Sequence, residues 1–327
     1  MTILRAPEHL KRGPRQKVCA AIGFFDGVHL GHQEIIRRMV LEAGEHKAVA
    51  VVITFDRHPN TVVAPERVPP LIYTFAQKVR AIGSLGPDAL FPIHFNKAFS
   101  EQSGSEFIHS LSRDFAPFQS LCVGANFLFG HKRSGDIAML KRLSTELNFE
   151  VMALEPVVLD GEAVSSTRIR GNIRRGDLEK ASQLLGRPYS LSGKVVAGAR
   201  IGRSLGFPTA NLETSGLVLP PDGVYAAQAA ILSASSPTPD GPLRQAHEAV
   251  LNIGVRPTVQ SGSANRTVEA HLLDFSGDLY GSDLELTLTR RLRNEKRFSS
   301  REELQAQIRA DIEAARRSFQ GAAGGRN

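Results

Sequence analysis

The feature that most constrains this chain is a change of rhythm near residue 187. Before it, apolar runs of strand length alternate with helical patterns. The runs are "VCAAIG" (18–23), "AVAVVITF" (48–55), "ALFPIHF" (89–95), "SLCVGA" (120–125) and "EVMALEPVVL" (150–159). Between them, "HQEIIRRMVLEAG" puts Ile35, Ile36, Met39, Val40 and Ala43 on one face and stops at Gly44. "SGSEFIHSLSRDF" opens with Ser103 and Glu106 at capping-box spacing, and "DIAMLKRLSTELN" follows the fourth run. Strands apolar on both faces and separated by helices require a parallel sheet with crossovers. After "LLGRPYSLSG" (184–193), "GKVVAG", "GVYAAQAAIL", "HEAVLNIG", "TVEAHLLDF" and "LELTLTRRL" follow without helices. This is the pattern of an antiparallel sheet or small closed barrel. A last helix, "SSREELQAQIRADIEAARRSF", has Ser300 and Glu303 at capping-box spacing and a stripe of Leu304, Ile308, Ile312 and Ala315. Two domains follow, residues 1–186 and 187–327, with a polar loop at 233–245 and a frayed tail at 320–327.

With 327 residues the chain is long enough for two cores. No apolar run is long enough to span a bilayer, and the basic, polar start lacks an apolar signal core, so a cytoplasmic protein is expected. Two cysteines, Cys19 and Cys122, exclude a disulfide framework and read as small buried strand residues. The net charge of +7 permits anionic ligands without selecting them.

The stretch "GFFDGVHLGH" (23–32) joins the first strand to the first helix. Ligands of parallel sheets bind outside the carboxyl ends of the strands, and a helix N-terminus there favours phosphate. Gly23, Gly27 and Gly31 permit close backbone approach. His29 and His32, three apart, face the same way on a starting helical turn. A phosphate site, a metal site and an ordinary turn compete here. The metal reading lacks a third and fourth ligand nearby. "SSTRIR" (165–170) opens another helix after the fifth strand, where Ser166 or Thr167 can cap and Arg168 and Arg170 suit phosphates. Asn126 lies just past the fourth strand, and Asp136 follows a basic turn.

"GFFDGVHLGH" resembles the HxGH signature of the nucleotidyltransferase superfamily. With "TFDRHP" (54–59), "VGANFLFG" (123–130), "KRSGD" (132–136) and "SSTRIR", residues 17–175 resemble the FMN adenylyltransferase module of prokaryotic bifunctional FAD synthetases. The resemblance implies a Rossmann-like domain. It implies an ATP site of Gly23, Phe25, Asp26, His29, His32, Ser166, Thr167 and Arg170, with Asn126 at the ligands and His29 and His32 catalytic. The chain departs from the common pattern at Phe24 (often Asn), Arg57 (often Pro) and Leu128 (often Arg).

In "GARIGRSLGFPTAN" (198–211), Pro208 favours extended chain, which sets Thr209 and Asn211 on one side. Their neutral oxygens suit a Mg²⁺ ion that also binds phosphate, and Gly198, Gly202 and Gly206 suit a flap over phosphates. In "TVEAHLLDF", Val268, Ala270 and Leu272 share one face, and Glu269 and His271 the other. Glu269 has the chemistry of a proton acceptor; an ordinary surface strand residue is the alternative. "GFPTAN", "LPPDGVYAA", "NIGVRPT", "VEAHLLDFSGDLYG" and "LRNEKRFSSREEL" occur in the order found in riboflavin kinases, with "RPTV" in place of the common "RPTF". That resemblance implies ATP and Mg²⁺ at Gly202, Gly206, Thr209 and Asn211, a catalytic base at Glu269, and a flavin-side loop holding Arg293.

Together the two resemblances imply conversion of riboflavin to FMN and of FMN to FAD, with riboflavin, FMN and ATP as partners and flavoproteins as clients. No nucleic-acid or membrane partner is expected. Another HxGH nucleotidyltransferase or a tRNA-type ligase is the alternative. It calls for a lysine-rich second ATP loop and stacking aromatics on the barrel, and "SSTRIR" stands where that loop would be.

Overall fold

A computed structural model describes all residues except 14–15, 199–201, 203–204, 233–243, 257–264 and 324–327. Most of the polar loop, the end of the tail and the "PTV" of "RPTV" therefore lie outside the described residues. The chain divides into two compact units. One holds Met1–Leu71 and Phe75–Ser166; the other holds Ile72–Thr74 and the chain from Thr167 onward.

The first unit is built on six parallel strands: β1 (Thr2–Ile3), β2 (Val18–Ile22), β3 (Val49–Phe55), β4 (Ala89–Ile93), β5 (Phe118–Gly124) and β6 (Glu150–Leu154). Their order across the sheet is β1-β4-β3-β2-β5-β6. Alternate strand residues enter two cores. Cys19, Ala21, Ala50 and Val52 pack with Ile36, Met39 and Ala43 of α1 (Leu30–Glu45) and with Val79 and Ile82 of α2 (Phe75–Gly83). Val18, Ala20, Val51 and Ile53 pack with Phe107 and Leu111 of α3 (Gly104–Asp114) and with Leu140 and Leu143 of α4 (Ile137–Leu147). Helices on both faces explain why the central strands are apolar on both sides. Ser103 and Glu106 form the expected capping box on α3.

Three expectations change. Thr2–Ile3 adds an edge strand beside Ala89 and Leu90, too short to show a period. "EVMALEPVVL" breaks after Leu154, and Val158–Leu159 (β7) turns back on Glu162–Ala163 (β8). On α1 the fully buried positions are Gln33, Ile36, Met39, Glu42 and Ala43, while Ile35 and Val40 are half-buried at the rim.

In the second unit, β9 (Ser190–Val196), β10 (Ala210–Leu212), β11 (Gly223–Leu232), β12 (Arg244–Arg256), β13 (Asn265–Leu272) and β14 (Asp283–Arg293) close an antiparallel barrel. Its interior holds Leu251, Ile253, Val268, Ala270, Leu284 and Leu286. Helices α5 (Ser166–Arg175), whose first residue still belongs to the first unit, and α6 (Leu178–Leu185) precede it, and α7 (Arg301–Ala323) follows. On α7 only Ala315 of the expected stripe is fully buried; Leu304 and Ile308 instead line a cavity. The helix also runs on into the segment expected to fray.

Candidate active sites

β2 is the strand at which the order of the parallel sheet reverses. The chain passes from it to β3 and β4 on one side and later to β5 and β6 on the other. Such a switch point opens a crevice at the carboxyl ends of the strands. Here that edge carries "GFFDGVHLGH" after β2 and Asn126, exposed, just past the end of β5.

The turn is left-handed at three residues, Phe25 (φ 53°), Gly27 (φ 76°) and Val28 (φ 43°). A left-handed aromatic and a left-handed β-branched residue are costly, and such strain persists only where the surroundings over-determine it. Here they do. Val28 is fully buried and its carbonyl accepts from Gln33 Nε2 at 2.9 Å. The Asp26 carbonyl accepts from Ser166 Oγ at 3.1 Å, which ties the last described residue of the first unit to the turn.

His29 caps α1, its Nδ1 accepting from the His32 backbone N–H at 3.4 Å. With Nδ1 as acceptor, the neutral ring carries its proton on Nε2, a hydrogen-bond donor. The two imidazoles stack with centroids 3.5 Å apart and planes 20° from parallel. The expectation that they face the same way therefore holds in its strongest form. The glycines behave differently from expectation. A side chain at Gly23 would meet the Phe25 ring at 2.8 Å, and one at Gly31 would meet the His29 ring at 3.3 Å. Their missing Cβ atoms make room for these rings. Phe25 is buried and edge-on to His32 at 5.2 Å.

Thr167 and Arg170 occupy the first turns of α5, with Arg170 one helical turn on from Ser166. Asp136 caps α4, accepting from the Met139 N–H at 2.8 Å. Near the turn the sequence reading missed one buried cation, Lys78, on the inner face of α2. Its signal was a lysine between Phe75 and Ile82 on an otherwise apolar helical stripe.

The second site lies on the outside of the barrel. On β13, Val268 and Ala270 point into the core, so Glu269 points away from it. It stands opposite Asn211 of β10 on one side and Asn252 of β12 on the other. Thr209 Oγ1 donates to Glu269 Oε2 at 3.4 Å. The hydroxyl of Thr209, the amide oxygen of Asn211 and the carboxylate of Glu269 thus form a set of hard oxygen donors on one face, which fits Mg²⁺. A side chain at Gly198 would collide with the Asn211 amide, and one at Gly202 with the Phe207 carbonyl and Thr209, so both glycines admit backbone against these donors. Gly206 has φ 84°, and Phe207 N–H donates to the Gly202 carbonyl at 2.8 Å. The rest of the expected flap, 199–201 and 203–204, lies outside the described residues.

Thr209 lines two cavities. One, of about 340 Å³, also has Glu269, Asn252, Arg293, Phe298, Leu304 and Ile308 in its wall. The other, of about 580 Å³, runs along Phe275–Tyr280 and Pro208. Arg293 is the last residue of β14 rather than part of a loop. Its guanidinium grips Asp311 of α7 with Nε–Oδ1 at 2.9 Å and Nη2–Oδ2 at 2.7 Å, and lies 5.8 Å from the Phe298 ring. Asp311 is only 5% exposed and also accepts from Gln307 Nε2 at 3.0 Å. This partner was hidden in the sequence, because an acid on an amphipathic helix ordinarily faces water. Phe207 and Phe298 are the aromatic rings of the smaller cavity.

Elsewhere, Cys19 and Cys122 are buried and unpaired with each other. Burial pushes the Cys122 thiol up to about 12. Among the described residues no helix is long and apolar enough to cross a membrane.

A strained, histidine-bearing turn on a parallel sheet and an acid-centred oxygen cluster on a barrel give one chain two candidate sites. The FAD synthetase family model matches residues 11–168 and the riboflavin kinase family model residues 185–319. The bifunctional riboflavin kinase/FMN adenylyltransferase of Pseudomonas fluorescens is 38% identical over 97% of each chain. That of Escherichia coli K12 is 33% identical over 98% of each. A crystal structure described as a macrolide-efflux protein from Streptococcus pneumoniae superposes with a TM-score of 0.77 at 28% identity, covering 96% of this chain and 98% of that one. The chain belongs to the bifunctional riboflavin kinase/FMN adenylyltransferase family.

Proposed function

We propose that this chain phosphorylates riboflavin to FMN and then adenylylates FMN to FAD, with residues 187–327 carrying the first reaction and residues 1–186 the second. The observation that carries the reading is the presence, in one chain, of the stacked histidine pair at a sheet switch point and the Thr209–Glu269 cluster on a barrel. The full-length relatives favour this over another HxGH nucleotidyltransferase or a tRNA-type ligase.

In the kinase site, riboflavin occupies the cavity of Phe298, Leu304 and Ile308, whose apolar wall suits a flat ring. Arg293, fixed by Asp311, borders it. The terminal ribityl hydroxyl attacks the γ-phosphorus of ATP while Glu269 takes its proton, and ADP leaves. Thr209 and Asn211 would hold Mg²⁺, which would offset charge on the triphosphate. Gly202 and Gly206 allow the backbone to close against the phosphates. Positioning and electrostatics supply most of the rate, as is usual in phosphoryl transfer.

In the adenylyltransferase site, an FMN phosphate oxygen attacks the α-phosphorus of a second ATP and pyrophosphate leaves. His29 and His32 donate hydrogen bonds to the phosphate as charge grows in the transition state. Ser166, Thr167 and Arg170 hold phosphate oxygens. Gly23, Phe25 and Asp26 shape the nucleotide side, and Asn126 meets the flavin nucleotide. Use of ATP in both steps suits the cytoplasm. Incubating the purified chain with riboflavin and Mg–ATP and separating products by chromatography tests the reading. FMN should appear first and FAD after it; a chain that makes neither product is not this enzyme.

A further inference from the structure

Lys78 on α2 is 4% exposed and has no part in the chemistry above. Its Nζ donates to the carbonyl oxygens of Phe55 at 2.8 Å and Phe24 at 3.1 Å, and to Thr54 Oγ1 at 3.2 Å. The Thr54 hydroxyl in turn donates to the Phe24 carbonyl at 3.1 Å. An ammonium has three N–H groups and no acceptor, and three oxygens take all three. The ammonium also lies 4.5 Å from the centroid of the Phe24 ring and 5.3 Å from that of Phe75, within cation–π range. Asp26 and Asp56 act on it with negative charge. Asp56 is itself engaged by His94 at 2.7 Å and Arg57 at 3.4 Å, and His58 stands edge-on to Phe24 at 4.8 Å.

These contacts lie where two neighbouring parallel strands end. Phe55 closes β3, and Phe24 follows β2 directly before left-handed Phe25. We propose that Lys78 is a positioning residue for adenylyl transfer, its ammonium fastening the Phe24 carbonyl to the end of β3 and so setting the strained turn that carries His29 and His32. The inference rests on reading that turn as the adenylyltransferase site. It also gives Phe24 a role: where the family pattern often has Asn, this chain places a ring against the buried ammonium.

The geometry carries a pH dependence. A neutral amine has two N–H groups, so one of the three oxygens loses its donor and the ring loses its cation. Burial lowers the Lys78 pKa to about 8 despite Asp26 and Asp56. In mildly alkaline solution the Phe24 carbonyl is therefore held without charge assistance, and the aim of the turn is less tightly set even though burial no longer opposes the charge.

The experiment uses the full chain. FAD formation from supplied FMN and Mg–ATP is followed across the pH range around that value, with riboflavin phosphorylation in the same preparation as an internal control. In the unmodified chain, kcat for FAD formation should fall with loss of one proton near pH 8. Lys78→Met should lower kcat by roughly 10²-fold, the scale of a misplacement of about 1 Å, and abolish that alkaline limb. Its KM for ATP should change far less, and the kinase should be unaffected. Phe24→Leu keeps the backbone carbonyl but removes the ring, so the alkaline limb should move to lower pH. A Lys78→Met chain with unchanged kcat, or one that keeps the limb, overturns the proposal. If that variant loses the fold of its first unit, the Phe24→Leu profile decides alone, and an unmoved limb rejects the proposal. An unmodified chain that makes no FAD would instead reject the reading of the site.

Discussion

On the proposed reading the two sites meet one demand, a triphosphate held beside a flavin, with opposite materials. The first is made largely of backbone: a turn with three left-handed residues, a helix start and two stacked rings. The second is made of side chains on regular strands, where the pairing of Asn211, Glu269 and Asn252 fixes the spacing. A site of strained backbone depends on its clamps, the local Gln33 together with distant ones such as Ser166 and Lys78. A site on strands inherits its geometry from the ladder and depends on its neighbours for electrostatics. The first should therefore fail when its clamps are cut, the second when its charged groups are changed.

The largest expected effect is at the centre of each site. His29→Ala should reduce FAD formation by roughly 10²- to 10⁴-fold, the range for a lost transition-state donor or proton-transfer group, while riboflavin phosphorylation continues. Loss of both activities would break the division into two sites. Glu269→Gln should reduce FMN formation by about 10²-fold or more and leave FAD formation from supplied FMN intact. An active kinase in that variant would remove Glu269 as the base.

Stability separates the two regions further. Asp311→Ala leaves the half-buried Arg293 guanidinium without its carboxylate, and losing such a charged hydrogen-bonded pair costs roughly 1.5–3 kcal/mol. Denaturant unfolding of this variant should show the loss in the second unit, and Asp311→Asn should recover part of it.

The first unit should instead respond to pH through Lys78. Its pKa is about 8 in the folded chain against an ordinary 10.5. Below pH 8 both folded and unfolded chains are protonated at this group; between the two values only the unfolded chain keeps the proton. Where the unfolded chain binds more protons, stability rises with pH. Relative to Lys78→Met, the first unit should thus gain up to about 3 kcal/mol across that window. A difference that stays flat with pH would place the titration elsewhere. It follows that activity and stability should move in opposite directions above pH 8, which the barrel site has no reason to imitate.

The smallest effect concerns the cysteines. Burial raises both thiols, Cys122 to about 12, so alkylation of the folded chain near neutral pH should be negligible and become rapid only on unfolding.

Much of this molecule is written in its local sequence. Runs such as 18–22 and 49–53 are apolar at every position because both sheet faces are covered, and that pattern needs no tertiary information to read. The capping box at Ser103, the alternation around Glu269 and the three-residue spacing of His29 and His32 are likewise local. They pointed to the two architectures and to the residues proposed for the centre of each site. What escaped has no local period. Thr2–Ile3 is too short to alternate, and its partners lie at Ala89 and Leu90. Gly23 looked like an opening for ligand, and only the folded turn shows Phe25 filling it.

The sequence by itself determined the class of each domain and the chemical groups available, because period and spacing are properties of neighbouring residues. Only the tertiary structure decided what holds those groups in place. Lys78 meets Phe24 across 54 positions and Arg293 meets Asp311 across 18. Such contacts arise from strand order and helix docking, which bring distant residues together. Once buried, an ammonium or a carboxylate must find partners wherever the fold supplies them.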